Sequence, residues 1–194
     1  MNGIILASGF SRRMGQNKLL MKINNKEIIK TVIQEIKKSN IEKIILVARD
    51  ENVIKIGTEE NIAVIKNNNA DLGQSESIKL GVKEANIEDD FMFFCGDQPF
   101  LDKDSINRLI EESKKHKESI IIPKVKEKHG NPVIFPKKFK DELENLSGDI
   151  GGKQIINSNK KIVKYIELDN ELFLKDIDTI EEYERYINKG AILR

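Results

Sequence analysis

The sequence predicts an α/β protein built on a mainly parallel sheet, and three observations carry that prediction. Short apolar runs alternate with amphipathic stretches along the chain. Most of the runs are continuously apolar, as strands are when helices cover both faces of a sheet. The first run, Ile4-Ile5-Leu6, passes directly into a glycine-interrupted basic loop, LASGFSRRMGQNK at residues 6–18. Ligands of open sheets lie beyond the carboxyl ends of the strands, so a strand that ends this way points to a phosphate site.

In chain order the predicted strands are residues 3–7, 43–48, 62–65, 91–95, 119–122, 132–135 and 162–168. Between them Ile28, Ile29, Val32, Ile33 and Ile36 recur at helical spacing, as do Ile106, Leu109 and Ile110. Thr179 followed by Glu182 forms a capping box that opens a last helix through Tyr183, Tyr186 and Ile187. This order implies right-handed crossovers between parallel strands. No repeat, low-complexity tract or linker divides the chain, so residues 1–194 are read as one domain. The less regular stretch 124–161, with Gly130, Gly148, Gly151 and Gly152, is the candidate subdomain over the sheet.

Composition narrows the function classes. A net charge of +1 gives no global basic field, which speaks against nucleic acid as a partner. One cysteine, Cys95, excludes an intrachain disulfide framework and a multi-cysteine zinc site, and favours a reducing compartment. No apolar run reaches the roughly 18 to 20 residues of a membrane span, and no leader pattern is visible, so a cytoplasmic protein is expected.

The residues after each strand suggest the chemistry. The opening loop is neither a Walker A loop, since no Gly-Lys-Ser/Thr closes it, nor a dinucleotide fingerprint, since Gly9 and Gly15 are too far apart. Its glycines permit close backbone approach, successive N–H groups can form an anion nest, and Arg13 and Lys18 add positive charge. The plain alternative is a solvated basic turn. After the fourth strand, Cys95-Gly96-Asp97-Gln98-Pro99 places a carboxylate at a strand tip, where it can hold Mg²⁺ or simply cap a turn. Near the C-terminus, Asp176 and Asp178 point to one side if their segment is extended, one toward a metal and the other capping the next helix. Ser75, taken alone, reads as a helix N-cap. Cys95 reads as a small buried apolar residue, and His116, in a charged helix, as exposed.

Together, LASGFSRRMGQNKLL, Gly96-Asp97-Gln98-Pro99 and Asp176-Ile177-Asp178-Thr179 resemble the molybdenum-cofactor nucleotidyltransferases over essentially the whole chain. The resemblance implies a three-layer α/β/α Rossmann-like fold of the nucleotide-diphospho-sugar transferase type. It implies that the loop wraps a triphosphate, with Arg13 and Lys18 as catalytic phosphate ligands and Leu6, Ala7, Ser8, Gly9, Ser11, Met14 and Gly15 around the nucleotide. Gly73, Gln74, Ser75 and Ser77 resemble the segment that contacts base and ribose. Asp97 matches the magnesium aspartate, with Asp176 as the first choice for a second metal carboxylate and Asp178 as the alternative.

The resemblance also bears on the substrates. GMP-transferring members carry a second glycine before the loop glycine and a Gly-x-Asp-Lys run, whereas here Ser8 precedes Gly9 and Gly15-Gln16-Asn17-Lys18 follows. This pattern is more similar to the cytidylyltransferases, which implies CMP transfer from CTP to molybdopterin. The implied recipient of the product is a molybdoenzyme or its maturation chaperone. Residues 146–153, LSGDIGGK, are similar to a glycine-rich segment of that branch and are expected over the acceptor. GTP as donor, a sugar or polyol phosphate as acceptor, and a non-catalytic cofactor carrier are the alternatives.

Overall fold

The computed structural model describes residues 1–11 and 14–189, with side chains to residue 186. In chain order the elements are β1 (Asn2–Ala7), β2 (Lys22–Ile23), β3 (Lys26–Glu27), α1 (Ile28–Lys37), β4 (Lys43–Ala48) and α2 (Glu51–Glu59). They continue with β5 (Ala63–Lys66), α3 (Gln74–Glu84), β6 (Phe91–Cys95), α4 (Lys103–Lys115) and β7 (Ile120–Val125). The chain then passes through β8 (Lys128–His129), β9 (Val133–Phe135), α5 (Lys140–Glu144), α6 (Lys153–Ser158), β10 (Val163–Glu167) and α7 (Ile180–Lys189).

One sheet runs β10-β7-β9-β6-β1-β4-β5, with β8 paired to β7. Strands β6, β1, β4 and β5 are mutually parallel, while β9 is antiparallel to both β6 and β7. The expected mainly parallel sheet is therefore present, with β9 as a reversed strand inside it.

Alternation along each strand divides the core into two layers. Ile5, Leu46, Met92 and Phe94 pack on one face with α1 and α4 through Ile29, Val32, Ile33, Ile106 and Leu109. Ile4, Ile45, Val47, Phe91 and Phe93 pack on the other with α3 and α5 through Ile78, Val82 and Leu143. The two faces explain why these strands read as unbroken apolar runs.

A third, smaller cluster positions the site. Met14, Met21, Ile23 and Ile28 enclose Ile177, with Phe100, Tyr183 and Tyr186 against them. It fastens the loop after β1 to the segment before α7. That segment is fixed further by the capping box, in which Thr179 Oγ1 accepts the Glu182 N–H (3.2 Å) and Glu182 Oε2 accepts the Asp178 N–H (3.0 Å). The hairpin β2–β3 and strand β8 are two residues per strand, too short to leave a periodic signal. No described helix is long and apolar enough to cross a membrane.

Helix α3 lies so close to β1 that a Cβ at Gly81 would stand 2.4 Å from Ile4 Cγ2. Gly81→Ala is expected to cost about 1–3 kcal/mol through overpacking, read as a lower urea midpoint at unchanged slope. An unchanged midpoint would mean that the helix can shift away freely.

Candidate active site

The loop after β1 turns back on itself through two left-handed positions, Ser11 at φ 49° and Gly15 at φ 64°. Ser11 Oγ accepts the Lys18 N–H (3.2 Å) and the Ser11 carbonyl accepts the Met14 N–H (2.9 Å). Asn17 Oδ1 then accepts the Leu19 N–H (3.1 Å), opening the short turn that carries Lys18. Ser8 is buried, and its hydroxyl donates to the Val47 carbonyl on β4 (3.2 Å). A Cβ at Gly9 would meet no atom of the described residues within 4 Å. Arg13 lies outside the described residues.

Lys18 Nζ sits 2.6 Å from Asp97 Oδ2 and 2.7 Å from Asp178 Oδ1. Burial draws the pKa of this ammonium down, but the Asp97 and Asp178 carboxylates outweigh it and hold the group above its ordinary value. Asp97 follows β6, where the Gly96 N–H donates to the Leu6 carbonyl (3.1 Å) and a Cβ at Gly96 would press on Ile29 and Ala7. The Asp97 carbonyl accepts the Ile177 N–H (3.3 Å), so the backbones of Asp97 and of the 176–178 segment are joined as well.

Asp176 and Asp178 flank the fully buried Ile177. Both carboxylates come near Asp97. Burial, then Asp178 and Asp97, raise the pKa of Asp176 above the usual carboxylate value. No described lysine or arginine forms an ion pair with Asp176. Among the described residues, no group of three or more His, Cys, Asp or Glu side chains forms a ready metal cage; an ammonium stands between Asp97 and Asp178 instead.

Two neighbouring cavities meet at Cys95 and Asp97. The first, about 500 Å³, is lined by Leu6, Ser8, Gly9, Ser11, Met14 and Lys18 from the loop, by Gly73, Gln74 and Ser77, and by Asp178. Ala7, Gly15 and Ser75 do not line it. The second, about 480 Å³, is lined by Gln98, Glu127, Lys128, His129, Gly130, Asn131, Leu174 and Asp176. Asp178 and Asp176 thus face different cavities, although both look toward Asp97. Between the cavities, Asn131 Nδ2 lies 2.9 Å from Cys95 Sγ, and burial, reinforced by Asp97 and Asp176, pushes the Cys95 thiol up to about 12. Cys95, read from the sequence as a small buried apolar residue, is instead a partly buried thiol on the wall of both cavities. His116 ends α4, away from both cavities.

Two local readings are corrected. Ser75 is not the N-cap of α3; Gly73 holds that place at φ 102°, and Ser75 is wholly buried in the first turn with no partner for its hydroxyl among the described residues. The glycine-rich segment expected over the acceptor packs instead on the start of α3. A Cβ at Gly73 would lie 2.6 Å from the Gly148 carbonyl group, and Gly148 O accepts the Ser75 N–H (3.2 Å). Only a glycine with no side chain and a left-handed backbone allows that contact. Sequence reasoning also missed Phe10, 40% exposed on the cavity wall with the Arg49 guanidinium 4.2 Å above its ring. An aromatic in an otherwise small and basic loop was the available signal.

Residues 3–163 match the model of the MobA-like NTP transferase domain. The chain belongs to that family. It is a nucleotidyltransferase. The MobA-like chain is similar to the purine catabolism protein PucB of Bacillus subtilis, 27% identical over 194 residues that cover 94% of this chain and 93% of that protein. It is also similar to a probable molybdenum cofactor guanylyltransferase of Natranaerobius thermophilus, 27% identical with 96% and 86% covered. Among solved structures, Rv0371C of Mycobacterium tuberculosis in complex with manganese shares the fold at a TM-score of 0.81, with 19% identity and 96% and 97% covered.

The raised pKa of Asp176 carries a stability prediction. The folded protein holds this proton more tightly than the unfolded chain, so the carboxylate costs stability above its folded pKa and costs nothing below the unfolded value. In EDTA at pH 7, Asp176→Asn is expected to raise the melting temperature. The gain should vanish toward about pH 4. A lower melting temperature at pH 7 would mean that the carboxylate makes net favourable contacts.

Proposed function

We propose that the protein transfers CMP from CTP to the terminal phosphate of molybdenum-loaded molybdopterin, with Mg²⁺, giving molybdopterin cytosine dinucleotide and pyrophosphate. The observation that carries this reading is the meeting of two cavities of similar size at Asp97. One takes the nucleotide, its neighbour takes the phosphorylated acceptor, and the carboxylate stands where their phosphates meet. The name of the Natranaerobius relative supports a molybdenum-cofactor acceptor. CTP rather than GTP is supported by Ser8 and by Gly15-Gln16-Asn17-Lys18, the positions at which the loop departs from GMP-transferring members. Residues 1–194 are read as one nucleotidyltransferase domain, in which part of the 124–161 stretch, Lys128–Asn131, walls the acceptor cavity.

The donor set suits a hard divalent cation, because Asp97, Asp176 and Asp178 offer carboxylate oxygens that repel one another. The manganese complex of the mycobacterial fold relative accords with this. Asp176, which pairs with no described lysine or arginine, and Asp97, which lines both cavities, would hold the ion once Lys18 turns to the triphosphate, with Asp178 as the alternative to Asp176. When bound, it supplies charge neutralisation and alignment of the reacting phosphates.

The chain's own residues do the rest. Lys18 exchanges its carboxylate partners for triphosphate oxygens, and the backbone at Gly9 and Ser11 lies along the same groups. Arg13 joins them by resemblance. The acceptor phosphate, drawn in beside Lys128, attacks the α-phosphorus of CTP. The bond from that phosphorus to the β-phosphate oxygen breaks, and pyrophosphate leaves toward Lys18. The attacking phosphate is already an anion near neutral pH, so no general base is required, and catalysis comes from alignment and charge. Cys95, held as a thiol, takes no part.

Incubating the protein with Mg²⁺, molybdenum-loaded molybdopterin and CTP, GTP, ATP or UTP in turn, and measuring pyrophosphate, tests this reading. Release with CTP alone is expected. Release with GTP alone would assign guanylyl transfer, and none with any nucleotide would contradict transfer to the pterin and leave a carrier or another acceptor.

A further inference from the structure

The loop between α5 and α6 contributes a carboxylate to the first cavity that neither the metal site nor the phosphates can use. Asp149 is exposed, lines that cavity, and pairs with no described lysine or arginine. It arrives there because Gly148 and Gly151, both at positive φ, fold the loop onto the start of α3. The Gln74 N–H donates to Asp149 Oδ1 at 3.1 Å. One oxygen therefore caps a helix whose own N-cap, Gly73, has no side chain, and the carboxylate still has acceptor capacity toward the cavity.

Charge decides what that capacity is for. Among the described residues lining the cavity, Lys18 is the one cation, and it is held at Asp97 and Asp178. A triphosphate belongs at that end, since like charges repel Asp149 from any phosphate. The nucleoside is what remains for Asp149 to meet. A carboxylate can only accept hydrogen bonds, so it favours a base edge carrying an amine. Cytosine offers its N4 amine where uracil offers an O4 acceptor.

We propose that Asp149 is a specificity-determining residue whose carboxylate accepts the exocyclic amine of the cytosine of CTP. This rests on the CTP reading above.

Binding by calorimetry, with no acceptor present, tests it. CTP, dCTP and UTP are titrated in Mg²⁺ into wild type, Asp149→Asn and Asp149→Ala, each checked for folding by thermal melting. Wild type is expected to bind CTP roughly 5- to 150-fold more tightly than UTP, the range one base-edge contact gives. Asp149→Ala should bring the ratio close to one, and Asp149→Asn, whose amide can donate to O4, should bring it to one or invert it. A role in capping α3 alone would weaken CTP and UTP equally and leave the ratio intact, which overturns the proposal. A change confined to the CTP-to-dCTP ratio would assign the carboxylate to the ribose and overturn it as well. Failure of the underlying reading looks different: wild type itself then shows no preference for CTP over UTP, or binds neither.

Discussion

One ammonium group, Lys18 Nζ, shared between Asp97 and Asp178, is the contact on which the rest of the site depends. It joins three parts of the chain that are far apart in sequence: the loop after β1, the tip of β6 and the segment before α7. Without it, Asp97, Asp176 and Asp178 would face one another as half-buried carboxylates, an arrangement that raises the pKa of at least one of them. The small apolar cluster around Ile177 and the Asp97–Ile177 backbone hydrogen bond keep the three parts in register, so the polar contact does not have to hold them alone. In the proposed reaction this pairing is provisional. A triphosphate brings oxygens that Lys18 can take in place of the carboxylates, which leaves Asp97 and Asp176 for a divalent cation.

The sheet explains why the site lies where it does. Strands β6, β1 and β4 are covered on both faces and carry almost no polar side chains along their length, so their chemistry is concentrated in the turns at their carboxyl ends. The reversed strand β9 lies beside β6, and the stretch leading into it, Lys128–Asn131, walls the second cavity next to Asp97. On the other side of β1, the segment after β5 and the loop at Gly148–Gly151 enclose the first cavity. The division of the site into two cavities, which the proposed reaction uses as nucleotide and acceptor sides, thus follows from strand order.

Much of this was legible in the sequence, for local reasons. Continuous apolar runs marked the strands because burial on both faces removes alternation, and the Thr179–Glu182 box marked the start of α7 because both of its bonds are made within four residues. Gly96-Asp97 and the loop to Lys18 stood out because each directly follows a buried strand, at the end of the sheet where ligands bind. The contacts that were not legible are long-range. Ser75 looked like a cap because its residue type favours that role, yet Asp149, 75 positions from Gln74, accepts the Gln74 N–H and supplies the hydrogen bond that the first turn lacks. The LSGDIGGK segment could be recognised as a loop but was expected over the acceptor, since what locates it is the absent Cβ of Gly73, far away in sequence. That Asp176 and Asp178 face separate cavities was likewise hidden, because both flank one buried isoleucine and only the surrounding walls distinguish them.

The central claim is that Asp97, where the two cavities meet, acts on the reaction and not on nucleotide binding. Single-turnover kinetics of wild type and Asp97→Asn, with Mg²⁺, molybdenum-loaded molybdopterin and saturating CTP, measure this most directly. The transfer rate is expected to fall about a thousandfold or more, the scale of losing a group that organises charge at the reacting phosphates, while the melting temperature stays within a few degrees and CTP still binds. A rate within tenfold of wild type would contradict the claim and return Asp97 to the role of a turn-capping aspartate.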